Sequence, residues 1–177
     1  MNYSSPFFFA TFLLILLSFF PHQNAANSKL IDQSCEKTLY KDLCKLTLRS
    51  SHESKGADLV GLTKIALKLA SSNATRIHSR IDQLLASTKD RNVEQSLKEC
   101  SEQYGDAIEQ IEDSLAALDS EGYADVNTWV TAAMSDADTC EEAFEGQDSP
   151  VEGLSKLFGQ LCSITLTFSN LLANGGK

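Results

Sequence analysis

The sequence predicts an all-α protein: an up-down-up-down four-helix bundle preceded by a short, disulfide-stapled N-terminal helical hairpin. Three observations predict it. Apolar residues recur at helical spacing in four stripes from residue 57 onward. Short polar breaks separate the stripes, which favours antiparallel neighbours. No stretch sustains the alternation of a half-buried strand.

The chain opens with 26 residues that contain no Asp, Glu, Lys or Arg. Phe7 to Phe20 is an apolar run of 14 residues, shorter than the roughly 20 needed to span a bilayer. Pro21 ends it and the small residues Ala25 and Ala26 follow. Residues 1–26 therefore read as a secretory signal peptide, and residues 27–177 as one domain. That remainder, about 150 residues, is long enough to bury a sizeable core. No later segment has a comparable apolar run, so the mature form is expected to be soluble and free of the membrane.

Residues 27–56 are read as the hairpin and its linker. Leu30, Ile31, Tyr40, Leu43, Leu46 and Leu48 are too few for a core of their own, so the hairpin should pack on the bundle. Ser50 to Gly56 is the linker.

Residues 57–172 are read as the bundle. The first stripe is Leu59, Leu62, Ala66, Ala70, Ala74, Ile77, Ile81 and Leu84. Leu97, Tyr104, Ile108, Ile111, Leu115 and Leu118 form the second. Val126, Val130, Ala133, Ala137, Cys140 and Phe144 form the third, with Trp129 on its flank. Leu154, Leu157, Leu161, Ile164, Phe168 and Leu171 form the fourth. The breaks fall at Ser87–Asn92, Asp119–Gly122 and Gly146–Pro150. Ser149, Pro150 and Glu152 suggest an N-cap, a first helical residue and a capping box for the last helix.

Secretion places Cys35, Cys44, Cys100, Cys140 and Cys162 in an oxidising compartment, and an odd count leaves one thiol over. Cys35 and Cys44 are close enough to pair locally. Cys100 and Cys140 are the next plausible pair, since the start of the second bundle helix and the end of the third are adjacent in an antiparallel pair. Cys162 lies in an apolar stretch and is the candidate free thiol. Spacing alone does not fix this connectivity.

The composition excludes more than it includes. With 24 Asp+Glu against 15 Lys+Arg the net charge is −9, which argues against a nucleic-acid or anionic-membrane partner. His52 and His78 are the histidines left after the leader, and neither has metal-ligand spacing. There is no glycine-rich phosphate loop, nucleophile elbow or Cys-x-x-Cys pair, so neither an enzyme nor a cofactor or metal is expected. Asn73-Ala74-Thr75 is a candidate N-glycosylation acceptor inside a predicted helix. Glu102, Asp106, Glu109 and Asp113 form an acidic stripe at i, i+4, i+7 and i+11, drawn beside the apolar stripe of the second bundle helix. Asp136, Asp138, Glu141 and Glu142 crowd the end of the third, where negative charge opposes the macrodipole. Both sets are expected near the Cys100–Cys140 end. Such a face suits a basic partner surface approached under electrostatic steering.

Several features together resemble the plant invertase and pectin methylesterase inhibitor family. An apolar leader is followed by Cys35 and Cys44 with eight residues between them, Cys100 and Cys140 with 39 between, and a late fifth cysteine. The text around them agrees: Cys100-Ser101-Glu102-Gln103-Tyr104, Ala132-Ala133-Met134, Thr139-Cys140-Glu141-Glu142-Ala143-Phe144, Leu161-Cys162 and Ser169-Asn170-Leu171-Leu172. The resemblance implies disulfides Cys35–Cys44 and Cys100–Cys140, a free Cys162, and a secreted, non-catalytic inhibitor of the apoplast, cell wall or vacuole. It implies pectin methylesterase as partner, bound one to one across its pectin-binding cleft. Glu102, Asp106, Glu109, Asp113, Thr139 and Glu142 would then make the contacts. The alternative partner is acid invertase, whose inhibitors place Pro-Lys-Phe before the third bundle helix. Here that stretch reads Tyr123-Ala124-Asp125. A small-ligand-binding bundle is the reading from another class, although Ala66, Ala70 and Ala74 suggest close helix packing rather than a cavity.

Overall fold

A computed structural model describes residues 27–175. The signal-peptide reading of residues 1–26 lies outside the described residues. The described chain is helical wherever it is regular. It runs α1 (residues 27–35), α2 (Lys41–Ser50), a 3-10 turn (His52–Ser54), α3 (Leu59–Leu85), α4 (Arg91–Asp119), α5 (Tyr123–Glu142) and α6 (Glu152–Ala173).

The last four helices form the bundle. α3 packs on α4 and α6, and α5 packs on the same two. Cross-helix bonds fix the antiparallel sense. Lys64, early in α3, pairs with Asp119 at the end of α4. Ser96, early in α4, donates to the Ala143 carbonyl just past α5. Asn127, early in α5, donates to Asn170 late in α6 at 2.7 Å. Cys100 and Cys140 are disulfide-bonded with Cα atoms 4.4 Å apart, tying α4 to α5.

Local caps set the starts of α3 and α4. Asp58 caps α3 by accepting from Gly61 N–H at 2.8 Å, and Asp90 caps α4 through Asn92 and Val93. Such a cap contributes about 1 kcal/mol. α4 ends where Glu121 takes φ 60° and Gly122 N–H returns to the Ala117 carbonyl at 2.8 Å. A Cβ on Gly122 would lie 3.3 Å from that oxygen, so glycine suits the tight turn. The start of α6 departs from expectation. Ser149 Oγ accepts from Val151 N–H, yet the helix begins at Glu152, with Val151 as a cap that offers no side-chain bond. Val151 is 1% exposed; seating it in the core holds it at φ −120°, ψ 0°, outside the helix.

The core follows the stripes in part: Phe158 joins it from outside the predicted fourth stripe, while Leu154, Leu157 and Leu171 of that stripe, and Ile108 and Leu115 of the second, are only half-buried. Ala70, Ala74, Ile77, Ile81, Leu97, Tyr104, Ile111, Val126, Val130, Ala133 and Phe158 are fully buried in one cluster. Each large side chain there contributes about 1.5–3 kcal/mol by leaving water. Cys162 is a free thiol buried in this cluster, and burial pushes its pKa up. The small Ala66, Ala70 and Ala74 face neighbouring helices. A hollow of about 650 Å³ lies outside the bundle core between hairpin and bundle, against Leu30, Leu59, Leu171 and Leu172.

The hairpin packs against α3 and α6. Ile31, Cys35, Cys44 and Leu48 bury with Leu62, Ile65, Ala66, Ile164 and Phe168. The Cys35–Cys44 disulfide joins α1 to α2, and Arg49 pairs with Asp32 across them. Glu36 takes both Lys41 and Lys45, whose hydrogen bonds lower its pKa to about 2. Leu39 and Leu46 are 84% and 69% exposed. Leu46 therefore does not join the hairpin's buried side, because Cys44 and Leu48 occupy it.

Candidate functional site

Glu102, Asp106, Glu109 and Asp113 on α4 are all exposed. Each stands two residues from a fully buried one: Glu102 and Asp106 flank Tyr104, and Glu109 and Asp113 flank Ile111. Two residues turn a helix through about 200°. The stripe therefore points away from the core rather than beside the apolar stripe. It also runs away from the disulfide, since Asp113 lies thirteen residues past Cys100, about 20 Å along the axis. Only Glu102 and Asp106 share the cross-linked end with Thr139 and Glu142. None of the four stripe carboxylates makes a salt bridge among the described residues. The ridge thus presents four carboxylates to solvent with no salt-bridge partner.

On α5, Glu142 is exposed at the last helical position and Thr139 is half-buried. Thr139 Oγ1 donates to the Ser135 carbonyl at 2.9 Å, so its hydroxyl is engaged within its own helix. Asp136 lies on the seam with α4. Burial raises its pKa, the Asp106 charge adds to the rise, and a hydrogen bond from Gln110 opposes it. Asp136 Oδ2 and Gln110 Oε1 are buried without a partner. Two carboxylates on facing helices thus repel across a partly dry seam.

Beneath this face runs a polar chain that sequence reasoning missed. Tyr104 on α4 donates to Ser155 Oγ on α6 at 2.8 Å, and Ser155 donates to Glu141 on α5. Tyr104 also meets Phe158 edge to face, with ring centroids 5.9 Å apart. A tyrosine in an apolar stripe needs a partner for its hydroxyl; that signal was present, but the partner's identity was not.

The remaining candidates are placed as follows. His78 Nε2 lies 3.2 Å from Ser101 Oγ and its Nδ1 3.7 Å from Asp82, while His52 lies in the 3-10 turn. Among the described residues no group of three or more His, Cys, Asp or Glu could hold a metal, and no helix is long and apolar enough to cross a membrane. Asn73 is 5% exposed inside α3, and neither amide atom has a partner. It lines a recess with Leu69, Leu157 and Leu161. In the folded chain the candidate acceptor amide is therefore turned away from solvent. Tyr123-Ala124-Asp125 forms the first turn of α5 rather than a loop before it, with Tyr123 packed on the core.

Comparison with known proteins matches these features. The family model described as "Plant invertase/pectin methylesterase inhibitor" matches residues 29–168. A pectinesterase inhibitor of Actinidia deliciosa is 32% identical over 178 residues, covering 97% of this chain and 96% of that protein. A putative invertase inhibitor of Platanus acerifolia is 30% identical over 181 residues, covering 97% and 98%. The crystal structure of a mutant pectin methylesterase inhibitor from Arabidopsis superposes with TM-score 0.69 at 28% identity, over 77% of this chain and 93% of that one. With its four antiparallel helices, its stapled hairpin and this match along nearly the whole chain, the protein belongs to the plant invertase/pectin methylesterase inhibitor family.

Proposed function

We propose that the protein is a pectin methylesterase inhibitor of the plant cell wall. It binds the enzyme one to one, covers the pectin-binding cleft, and so restrains pectin de-esterification. The observation that carries this reading is the exposed, unpaired acidic ridge of α4, on a chain related end to end to a pectinesterase inhibitor. Pectin is a polyanion, and a cleft that receives carboxylates offers basic and polar groups to Glu102, Asp106, Glu109 and Asp113. Thr139 and Glu142 extend the contact on α5. The inhibitor supplies no catalytic group; it acts by occupancy. The leader over residues 1–26 directs it to the apoplast.

The invertase reading rests on the Platanus relative, which carries that name. Against it stands the first turn of α5, where Tyr123 and Asp125 replace the Pro-Lys-Phe pattern of the invertase branch. Assaying one preparation of the mature protein against a plant pectin methylesterase and an acid invertase separates the two. The expected result is saturable inhibition of the methylesterase alone. Inhibition confined to invertase would sink the proposal.

A further inference from the structure

The acidic ridge accounts for attraction but supplies little apolar contact, and stable interfaces centre on a few large anchors. The chain has one tryptophan, Trp129. It is 39% exposed on α5. Its position along the α4–α5 seam can be read by counting turns. Ala143 meets Ser96 at one end of the seam. Asp136, seven residues earlier, meets Gln110 and senses Asp106. Trp129 is seven earlier again, so the three repeat at two-turn intervals on one flank of α5. The Cys100–Cys140 bond sets the register of the seam, so Trp129, eleven residues before Cys140, stands level with the α4 turn eleven residues past Cys100, between Glu109 and Asp113. About 15 Å of helix separates it from Thr139.

We infer that Trp129 is the aromatic anchor of the docking face and seats on an apolar, sugar-binding surface of the partner's cleft. The inference rests on the methylesterase reading above and deepens it. Clefts that bind polysaccharide hold the apolar faces of sugar rings, and a flat indole can take the place of one ring. The ridge from Glu102 to Asp113 then lies where the substrate's carboxylates would lie. Charge steers the encounter and Trp129 holds it. The face thus spans α4 and α5 from the disulfide end to the first turns of α5, rather than the disulfide end alone.

The test combines inhibition with a direct reporter. Trp129→Ala should weaken inhibition of a pectin methylesterase at least about tenfold, mainly through faster dissociation, and Trp129→Phe should recover most of it. Circular dichroism and thermal unfolding check that both variants fold. The reporter needs no variant: 5-fluorotryptophan incorporated into the wild-type inhibitor gives a single 19F resonance from residue 129. It should shift and broaden on adding saturating methylesterase. An unmoved resonance in a fully inhibited complex, or undiminished inhibition by folded Trp129→Ala, overturns the anchor and leaves the methylesterase reading intact. A wild-type protein that inhibits no methylesterase overturns both.

Discussion

The hydroxyl of Tyr104 on α4 donates to Ser155 Oγ on α6 at 2.8 Å, fully inside the bundle. Ser155 passes the polar chain on to Glu141 of α5, so one buried tyrosine ties three helices. Burial disfavours the phenolate and raises the Tyr104 pKa, with the nearby Glu141 charge adding to it. Removing the two ends of this bond has unequal consequences. Tyr104→Phe keeps the ring contact with Phe158 and leaves Ser155 its bond to Glu141, so it should cost about 1 kcal/mol. Ser155→Ala strands a buried phenol and should cost about 1–3 kcal/mol. Chemical denaturation of both variants checks the order; equal losses would mean that the hydroxyl finds another partner.

Asp136 makes the bundle more stable in acid at its own position. Its folded pKa is raised by burial and by Asp106. A raised carboxylate contributes stability that is fully present below its unfolded pKa and is lost as pH rises through the folded one. At neutral pH it is therefore a liability. Asp136→Asn should raise the melting temperature at pH 7 and confer little or nothing at pH 3. A variant that gains equally at both pH values would refute the charge-based account.

Neutralising the ridge should act on association. The quadruple change Glu102→Gln, Asp106→Asn, Glu109→Gln and Asp113→Asn leaves the core untouched, because all four side chains are exposed. The association rate with a methylesterase should fall by about tenfold or more at low salt. The gap should close as salt rises, since the Debye length shrinks to about 8 Å at physiological ionic strength. Stopped-flow inhibition across a salt series reads this. An unchanged rate would remove the ridge from the mechanism.

Asn73 should carry no glycan in the folded protein. Its amide lies buried in α3 beside Leu69, Leu157 and Leu161; a sugar there would displace the α6 wall. Intact-mass measurement after expression in plant cells checks this. The unpaired amide is also costly, so Asn73→Leu should stabilise the fold by about 1 kcal/mol or more, provided the leucine fits the recess.

The bundle was legible because its helices are amphipathic over their whole length, and a helical repeat is a property of local sequence. Stripes such as Leu62–Ala66–Ala70–Ala74–Ile77 are buried as drawn. The start of α6 was less legible: Ser149, Pro150 and Glu152 read as a capping box, but the burial of Val151 decided the boundary. The acidic stripe was legible as a spacing, and its direction away from the core lay in the same helical repeat, but its neighbours across the seam did not. A hydrophobic pattern tells which side of α4 faces the core, whereas which neighbour lies to its left or right is settled only by packing.

By itself the sequence determined the class of fold, the number and order of the bundle helices, the family and the sign of the surface. Those are carried by periodicity, by cysteine spacing and by charge count, all of them local or additive. The tertiary structure alone decided what meets across helices: Asp136 against Asp106, Tyr104 through Ser155 to Glu141, and Trp129 against the α4 turn between Glu109 and Asp113. It also decided that Asn73 turns inward. Side chains far apart in sequence acquire partners, and lose water, only when helices dock in one register. The Asp136 pKa shift and the buried polar chain both follow from that register.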